Sequence, residues 1–172
     1  MDTASFTLIL AEFGKGLGLE GLTLDDSGSC TLIIREVMFT MLWDEASQSL
    51  LVFAPIGSLR QTADEAALCR RMMEANCLGS GTGGLTLGIQ PGLDAIILSG
   101  RIPGAALSAS ALSRWIDVFT EQAVLWKQEL DFGPEASFDA SVGAALAGAE
   151  PASQGQPLDG ASEMFLNFAL RV

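Results

Sequence analysis

The residue types that most often carry catalysis or bind metals are sparse in this chain. It contains three cysteines, Cys30, Cys69 and Cys77, and no histidine. Without histidine, neither a Ser-His nor a Cys-His dyad can form, and the commonest general base and metal ligand is missing. Three scattered thiols without a CxxC pair cannot complete a four-cysteine zinc site and are typical of reduced, packed cysteines in a cytoplasm. We therefore predict no enzyme, no catalytic residue, no metal and no cofactor.

One glycine-rich motif resembles a nucleotide-binding loop in its spacing only. Gly79, Gly81 and Gly84 match the pattern GxGxxG. In nucleotide-binding proteins this loop follows a strand and opens a helix, so that phosphate meets the helix N-terminus. Here the predicted order is helix, loop and strand, which indicates a connector.

Acidic side chains occur in adjacent pairs. They lie in predicted turns or at a predicted helix cap, at Asp25-Asp26, Asp44-Glu45 and Asp64-Glu65. Paired carboxylates can bind a cation or perform acid-base chemistry when they converge in a cleft. Adjacent residues in exposed turns rarely converge, so we interpret these pairs as solvated or capping residues.

The elements that would position any site begin with three strand-like runs that are apolar on both faces. The runs cover residues 30–34, 37–43 and 50–54. Side chains alternate across a strand, so a sheet with one solvated face should alternate apolar and polar residues. Connections this short join antiparallel strands. Such a sheet must be covered on both sides, by its own helices, a second subunit or a bound client chain.

Amphipathic helices flank these strands. The first helix is predicted to begin after Asp2 or Thr3, and the capping box Thr62-Ala-Asp-Glu65 opens the second. The helices should cover about residues 4–17, 62–78 and, from Ser108 or Ser110, up to 130, with two more strands at 85–89 and 95–98. The predicted fold is therefore α+β, with a helix, a three-stranded antiparallel sheet, a helix, two strands and a long helix.

Composition and charge exclude several classes of partner. Apolar residues make up 49% of the chain, and its formal charge is −12, from 21 acidic and 9 basic residues. An acidic surface repels nucleic-acid phosphates and anionic membranes. No apolar run is long enough for a membrane span, and the first residues lack the basic and apolar regions of a signal peptide. We expect no nucleic-acid partner and no membrane insertion.

The composition changes after Asp131. We predict one domain over residues 1–131, followed over residues 132–172 by a linker rich in Gly, Ala, Ser and Pro with an apolar C-terminal segment. The apolar residues near the end alternate as on one face of a strand, at Met164, Leu166, Phe168, Leu170 and Val172.

Short motifs between residues 6 and 130 occur in a fairly specific order. They are Phe13-Gly14, Leu17-Gly-Leu19, Leu22-x-Leu-Asp25, Gly28-x-Cys-x-Leu-x-Ile34, Asp44, Ala54-Pro-Ile-Gly57, Ala75-Asn76, Gly83-Gly-Leu-x-Leu-Gly88 and Ile102-Pro103. With the order of elements and the acidic composition, they resemble the class I type III secretion chaperones, the Tir chaperone (CesT) family. Two positions depart from that pattern: Arg35 stands where a carboxylate is usual, and after Ile89 no acid occurs until Asp94.

The resemblance implies a homodimer whose second helix and fourth strand pair across a two-fold axis. It also implies a chaperone of the bacterial cytoplasm that contributes to virulence. Its outer apolar surfaces would bind an extended segment of a secreted effector and keep it soluble and secretion-competent without ATP. The secretion apparatus is a further candidate partner.

We predict two sets of binding residues. The effector-binding set lies on one sheet face and the first helix, and comprises Phe13, Ile33, Phe39, Met41, Trp43 and Phe53. The dimer-interface set is Leu68, Met72, Leu85 and Leu87. A register shift of one residue would turn the opposite side chains outward, and Leu32, Met38 and Leu42 would then replace part of the first set.

Two other functions remain open at this point. One is a regulator of the same fold that sequesters a secretion regulator. The other is a small-molecule-binding or enzymatic α+β domain, which would need an enclosed pocket with convergent polar groups.

Overall fold

The computed structural model describes residues 1–62 and 64–130. Its elements are α1 (Thr3–Gly16), β1 (Ser29–Ile34), β2 (Val37–Asp44), β3 (Ser49–Ser58), α2 (Glu65–Asn76), β4 (Thr86–Gln90), β5 (Ala95–Pro103) and α3 (Ala109–Glu129). The order is the predicted one, and the α+β fold class is confirmed. The predicted linker and C-terminal segment, residues 132–172, lie outside the described residues.

The start of α2 differs from the sequence prediction. Thr62 is extended, and its amide donates to the Leu59 carbonyl at the end of a 3-10 turn. The helix begins at Glu65, too late for Thr62 to be its cap, and Asp64 caps it by accepting a hydrogen bond from the Ala67 amide at 2.9 Å. The helix ends at Asn76, two residues earlier than predicted. The caps of the other two helices are among those predicted, Asp2 and Ser108.

All five strands join one antiparallel sheet in the order β1-β2-β3-β5-β4. The predicted set of three strands and the later pair are therefore parts of a single layer. β3 and β5 are longer than their apolar runs, because each continues through glycine and polar residues to Ser58 and Pro103. A bulge between Pro55 and Gly57 interrupts their pairing.

The main core lies between one face of this sheet and the helices. α3 crosses β2 and β3 and also contacts α1. The Phe39 ring meets the Phe119 ring edge-on at 5.9 Å, and Phe6 stacks on Trp43 at 5.2 Å. These four aromatic side chains are nearly or fully buried, so the helix side of β2 is filled within the chain itself.

The second helix lies on the same side of the sheet, next to β4. The Arg71 guanidinium forms an ion pair with Glu129 of α3. The Trp126 indole nitrogen donates to the Gly81 carbonyl, in the turn after α2, at 3.0 Å. Within the described residues all three helices therefore occupy one side of the sheet.

A glycine in β5 lets α3 approach the sheet closely. A Cβ at Gly100 would lie 2.8 Å from the Trp115 ring and 2.6 Å from Leu85. Such distances are shorter than van der Waals contact, so only the missing side chain lets Trp115 lie over the strand.

Candidate protein-binding surface

The face of the sheet opposite the helices is apolar, and no helix of residues 1–62 or 64–130 covers it. We define this open face by the side chains of Ile33, Met38, Leu42, Leu51, Phe53 and Ile97. Ile33 is 70% exposed, and Met38, Leu42 and Leu51 are partly exposed. Phe53 and Ile97 are only 9% and 7% exposed and pack with Ala95 in a small cluster separate from the main core. The exposed part of the face therefore consists of Ile33, Met38, Leu42 and Leu51, and apolar surface of this kind usually marks an interaction site.

Polar groups on the open face are paired with each other. The hydroxyls of Thr31 and Thr40 lie 2.9 Å apart across β1 and β2. At the rim, the Arg101 guanidinium contacts Asp44 at 3.6 Å and donates to the Ser49 hydroxyl at 2.9 Å. An apolar partner that covered these groups would therefore leave few buried polar atoms unpaired.

The β1 edge of the sheet is open over its outer half. Arg35 and Glu36 connect β1 to β2 with positive φ angles of 52° and 63°, as in a two-residue type I′ turn. The residues flanking such a turn, Ile34 and Val37, form a hydrogen-bonded pair, and the pattern alternates along the strand. The backbone N–H and C=O groups of Ile33 and Thr31 therefore point away from β2, and β1 has no second neighbour among the described strands.

The inner half of the same edge is covered by Asp25. Its amide donates to the Ser29 carbonyl, and its carboxylate accepts from the Ser29 amide at 2.9 Å. Burial raises the pKa of this carboxyl, but hydrogen bonds from Ser27 and Ser29 outweigh it and hold the pKa at about 2, below the ordinary 3.8. Asp25 thus ends strand pairing at Ser29 and leaves Thr31 and Ile33 accessible.

The β4 edge is closed at Leu87 by a side chain. The Asn76 side-chain amide donates to the Leu87 carbonyl and accepts from the Leu87 amide, both at 2.9 Å. The Thr82 hydroxyl donates to the Leu85 carbonyl at 2.6 Å. Asn76 therefore occupies the backbone groups that a strand added at Leu87 would need.

Exposed apolar side chains lie along α2 and β4. Leu78 is 100% exposed and has a positive φ of 55°, which is uncommon for a residue other than glycine. Met73 is 74% exposed and Ile89 is 38% exposed. We refer to these three exposed side chains, on α2, in the turn after it and on β4, as the apolar strip.

The structure divides the predicted effector-binding set between two sides of the sheet. Ile33 and Phe53 belong to the open face, whereas Phe39, Met41 and Trp43 point to the helix side and are at most 6% exposed. This corrects the grouping, because the helices α1 and α3 already cover the second group. Phe13 is also buried, at 3% exposure, in the α1 packing.

Some residues of the open face belong to the alternative set that was predicted for a register shift of one residue. Of that alternative set, Met38 and Leu42 lie on the open face, but Leu32 points to the core side. Leu51 and Ile97 complete the face and were missed from the sequence. No pattern identified them, since the side chains on both faces of β3 and β5 are apolar.

The predicted dimer residues are placed in the core of the chain. Met72, Leu85 and Leu87 are at most 7% exposed, and Leu68 packs against the same core. A second copy would therefore meet their neighbours first, the exposed strip of Met73, Leu78 and Ile89. That the interface forms at α2 and β4 stays a prediction.

The residues considered for chemistry are dispersed. Burial, and secondarily the charge of Asp25, raises the pKa of the Cys30 thiol to about 11, and Cys77 is exposed. No group of three or more His, Cys, Asp or Glu residues that could hold a metal ion occurs among the described residues. A groove of about 520 Å³ between α2 and α3 is lined partly by the paired Arg71 and Glu129.

In the part of the chain that the structure describes, no helix is long and apolar enough to cross a membrane.

The family follows from the match of sequence to these elements. The model of the Tir chaperone protein (CesT) family matches residues 8–127, from within α1 to near the end of α3. The chain belongs to the CesT family. A Chlamydia pneumoniae protein is 27% identical over 128 residues, which are 74% of this chain and 97% of that protein.

Solved structures share the fold of this CesT chain. In the ExsC-ExsE complex, one chain has a TM-score of 0.67 and 25% identity, covering 80% of this chain and 100% of that chain. A chain of the HopA1-SchA chaperone-effector complex has a TM-score of 0.62 and 21% identity, with coverage of 74% and 98%. A chain of the complex of the Yersinia pestis type III secretion chaperone SycH with a YscM2 fragment reaches 0.56 at 17% identity, with coverage of 70% and 98%. The last two similarities concern the fold alone.

Proposed function

We propose that this chain is a type III secretion chaperone that binds an extended segment of a secreted effector in the bacterial cytoplasm and keeps it soluble and secretion-competent without ATP. The observation that carries this proposal is the open face next to an accessible β1 edge. Membership of the CesT family supports it, as does the shared fold of a chain in a chaperone-effector complex.

The open face would recognise its client through alternate apolar side chains. An extended segment that lies along β2 and β3 can place every second side chain between Leu42, Leu51 and Phe53. Each buried methylene group contributes about 0.8 kcal/mol, so a few apolar anchors suffice for spontaneous binding. This explains how binding would proceed without an energy source.

The β1 edge would add direction to this binding. A client strand beside β1 would use the outward N–H and C=O groups of Thr31 and Ile33. Backbone pairing fixes the path of a segment while tolerating many side chains. A chaperone with this edge could therefore accept more than one effector sequence.

We further propose that two copies associate through α2 and β4. The fully exposed Leu78, with Met73 and Ile89, offers exposed apolar side chains for this contact. In an isologous dimer the same strip contacts its counterpart on the second copy, so each of the three side chains is buried in both copies. The open face lies on the opposite side of the sheet from α2 and would remain available to a client.

The proposal is tested by capturing clients from the native bacterium with a tagged full-length chain. We expect Leu42→Glu to reduce the amount of captured effector by at least about tenfold, because a desolvated carboxylate opposes apolar contact. The matched control is Leu8→Glu, on the helix side of the molecule, where Leu8 is 73% exposed. Equal capture by both variants would exclude the open face as the client site.

A neighbouring substitution separates binding from folding. Met41 adjoins Leu42 but is fully buried on the helix side. Met41→Ala should lower the free energy of unfolding by about 2–5 kcal/mol, whereas Leu42→Glu should leave the melting temperature nearly unchanged. A melting temperature that falls equally in both would mean that Leu42 acts in the core.

A further inference from the structure

The end of α3 lies near the β1–β2 turn. The Lys127 ammonium, near the end of α3, donates to the Glu36 carbonyl in the β1–β2 turn at 3.3 Å. The adjacent Arg35 contacts Asp117 of α3 at 3.7 Å. Leu130 lies three residues after Lys127, or about 4.5 Å along a helix axis. Whatever follows Leu130 therefore starts near the β1–β2 turn, which borders the open part of the β1 edge.

The sequence beyond this point ends in a segment suited to strand pairing. Residues 163–172 place Met164, Leu166, Phe168, Leu170 and Val172 at every second position. Roughly thirty residues rich in Gly, Ala, Ser and Pro precede them. A flexible chain of that length has a typical end-to-end distance of about 30 Å, comparable to the diameter of a small domain.

We propose that residues 163–172 pair with the β1 edge of their own chain as an added strand. The outward backbone groups of Thr31 and Ile33 would bond to this segment, and its alternating apolar residues would lie beside Ile33. Ile33 is 70% exposed among the described residues, and an apolar cross-strand neighbour would cover it. The added strand thus satisfies the backbone groups and the apolar side chain that the described sheet leaves exposed.

The same chain is favoured over a second copy as the source of this strand. A tethered segment has an effective concentration in the millimolar range, far above that of free protein at micromolar concentration. The closed β4 edge offers no comparable site at Leu87, because Asn76 occupies it.

The pairing follows from the edge geometry and the alternation of residues 163–172. Only the competition with a client rests on the proposed function. If a client uses the β1 edge, the C-terminal segment must leave before the client strand can pair. The segment would then protect the edge when no client is bound and compete weakly when one arrives. Measurements on the purified chain test the pairing even if the proposed chaperone activity is disproved.

Amide hydrogen exchange of the full-length chain, resolved by NMR, gives the direct test. If docking has a dissociation constant near 100 µM and the tether supplies about 1 mM, the Thr31 and Ile33 amides are protected about tenfold. Phe168→Asp should abolish this protection, because it places a charge on the apolar face of the segment. Phe165→Asp is the matched control, since Phe165 has the opposite parity.

The outcomes separate the alternatives. Loss of protection in Phe168→Asp but not in Phe165→Asp supports the pairing and its facing. Loss of protection in Phe165→Asp but not in Phe168→Asp would show that the opposite face of the segment lies beside Ile33. Equal exchange in all three proteins overturns the pairing. Protection that grows with protein concentration assigns the strand to a second copy and overturns the same-chain assignment. Unchanged exchange at Leu32, whose amide faces β2, verifies that each variant keeps its fold.

Discussion

The two edges of the sheet are finished in different ways. At β4, the Asn76 amide makes both hydrogen bonds to Leu87 that a neighbouring strand would make. At β1, Asp25 covers only Ser29, and the next two outward positions lack a strand neighbour among the described residues. The β4 edge is therefore closed at Leu87, whereas the β1 edge is open to backbone pairing at two positions.

This difference assigns the two sides of the molecule to different kinds of contact. An edge strand with accessible backbone groups pairs readily with another chain, which is a hazard unless the protein uses it. The β4 side can contact a partner mainly through side chains such as Leu78 and Met73. The β1 side can contact one through its backbone and through the apolar open face next to it.

The largest expected effect comes from opening the β4 edge at Leu87. Asn76→Ala leaves the N–H and C=O of Leu87 without partners while Leu87 is only 4% exposed. Each such group costs about 1–3 kcal/mol, so we expect the free energy of unfolding in urea to fall by about 3 kcal/mol. The opened edge should also increase self-association, which light scattering would detect.

The control for this experiment is Ser80→Ala. It removes an exposed hydrogen bond from the Ser80 hydroxyl to the Cys77 carbonyl, in the turn between α2 and β4. It should change stability by less than about 0.5 kcal/mol. A loss of similar size in both variants would show that Asn76 does not have a special role in closing the edge.

A smaller effect is expected from a charge on the apolar strip. Leu78→Glu should weaken the dimer at least about tenfold, equivalent to about 1.4 kcal/mol, because the carboxylate would be desolvated in the interface. Sedimentation equilibrium measures this change, with Leu8→Glu on α1 as the control. The fold should persist, since Leu78 is fully exposed within the chain. An unchanged dimer would place the interface elsewhere, and a monomeric unmodified chain would exclude the dimer.

The smallest effect is expected at the covered end of β1. Asp25→Asn weakens the carboxylate hydrogen bonds to Ser27 and Ser29, and we expect a loss of about 1 kcal/mol at pH 7. The folded-state pKa is about 2, below the ordinary 3.8. The stabilisation is therefore present above pH 3.8 and disappears as the pH falls toward 2.

Chemical denaturation between pH 7 and pH 2 measures this dependence. The stabilities of the unmodified chain and Asp25→Asn should converge as the pH approaches 2. Asp26→Asn, at the exposed neighbouring carboxylate, is the control and should follow the unmodified chain. A difference that stays constant down to pH 2 would show that ionisation of Asp25 does not stabilise the turn.

Local patterns determined the elements and their order. The apolar positions of α1 and α3 recur at helical spacing after the caps Asp2 and Ser108, and short polar turns separate the strands. The motif order between residues 6 and 130 predicted the CesT family, and the family match confirms it. The boundaries of α2 were less well predicted, because Asp64, and not Thr62, caps the helix, which begins at Glu65.

The sequence by itself determined that the sheet is apolar on both sides and that something must cover each side. It could not decide which face of each strand turns toward the helices, because Met41 and Leu42 lie on opposite faces of β2 and are equally apolar. The packing of α3 on β2 decided this, and it buried Phe39, Met41 and Trp43 while leaving Met38 and Leu42 on the open face. The edges were likewise decided by tertiary structure. Asn76 and Leu87 lie 11 residues apart on different elements, and only the folding of α2 against β4 brings the amide to the strand.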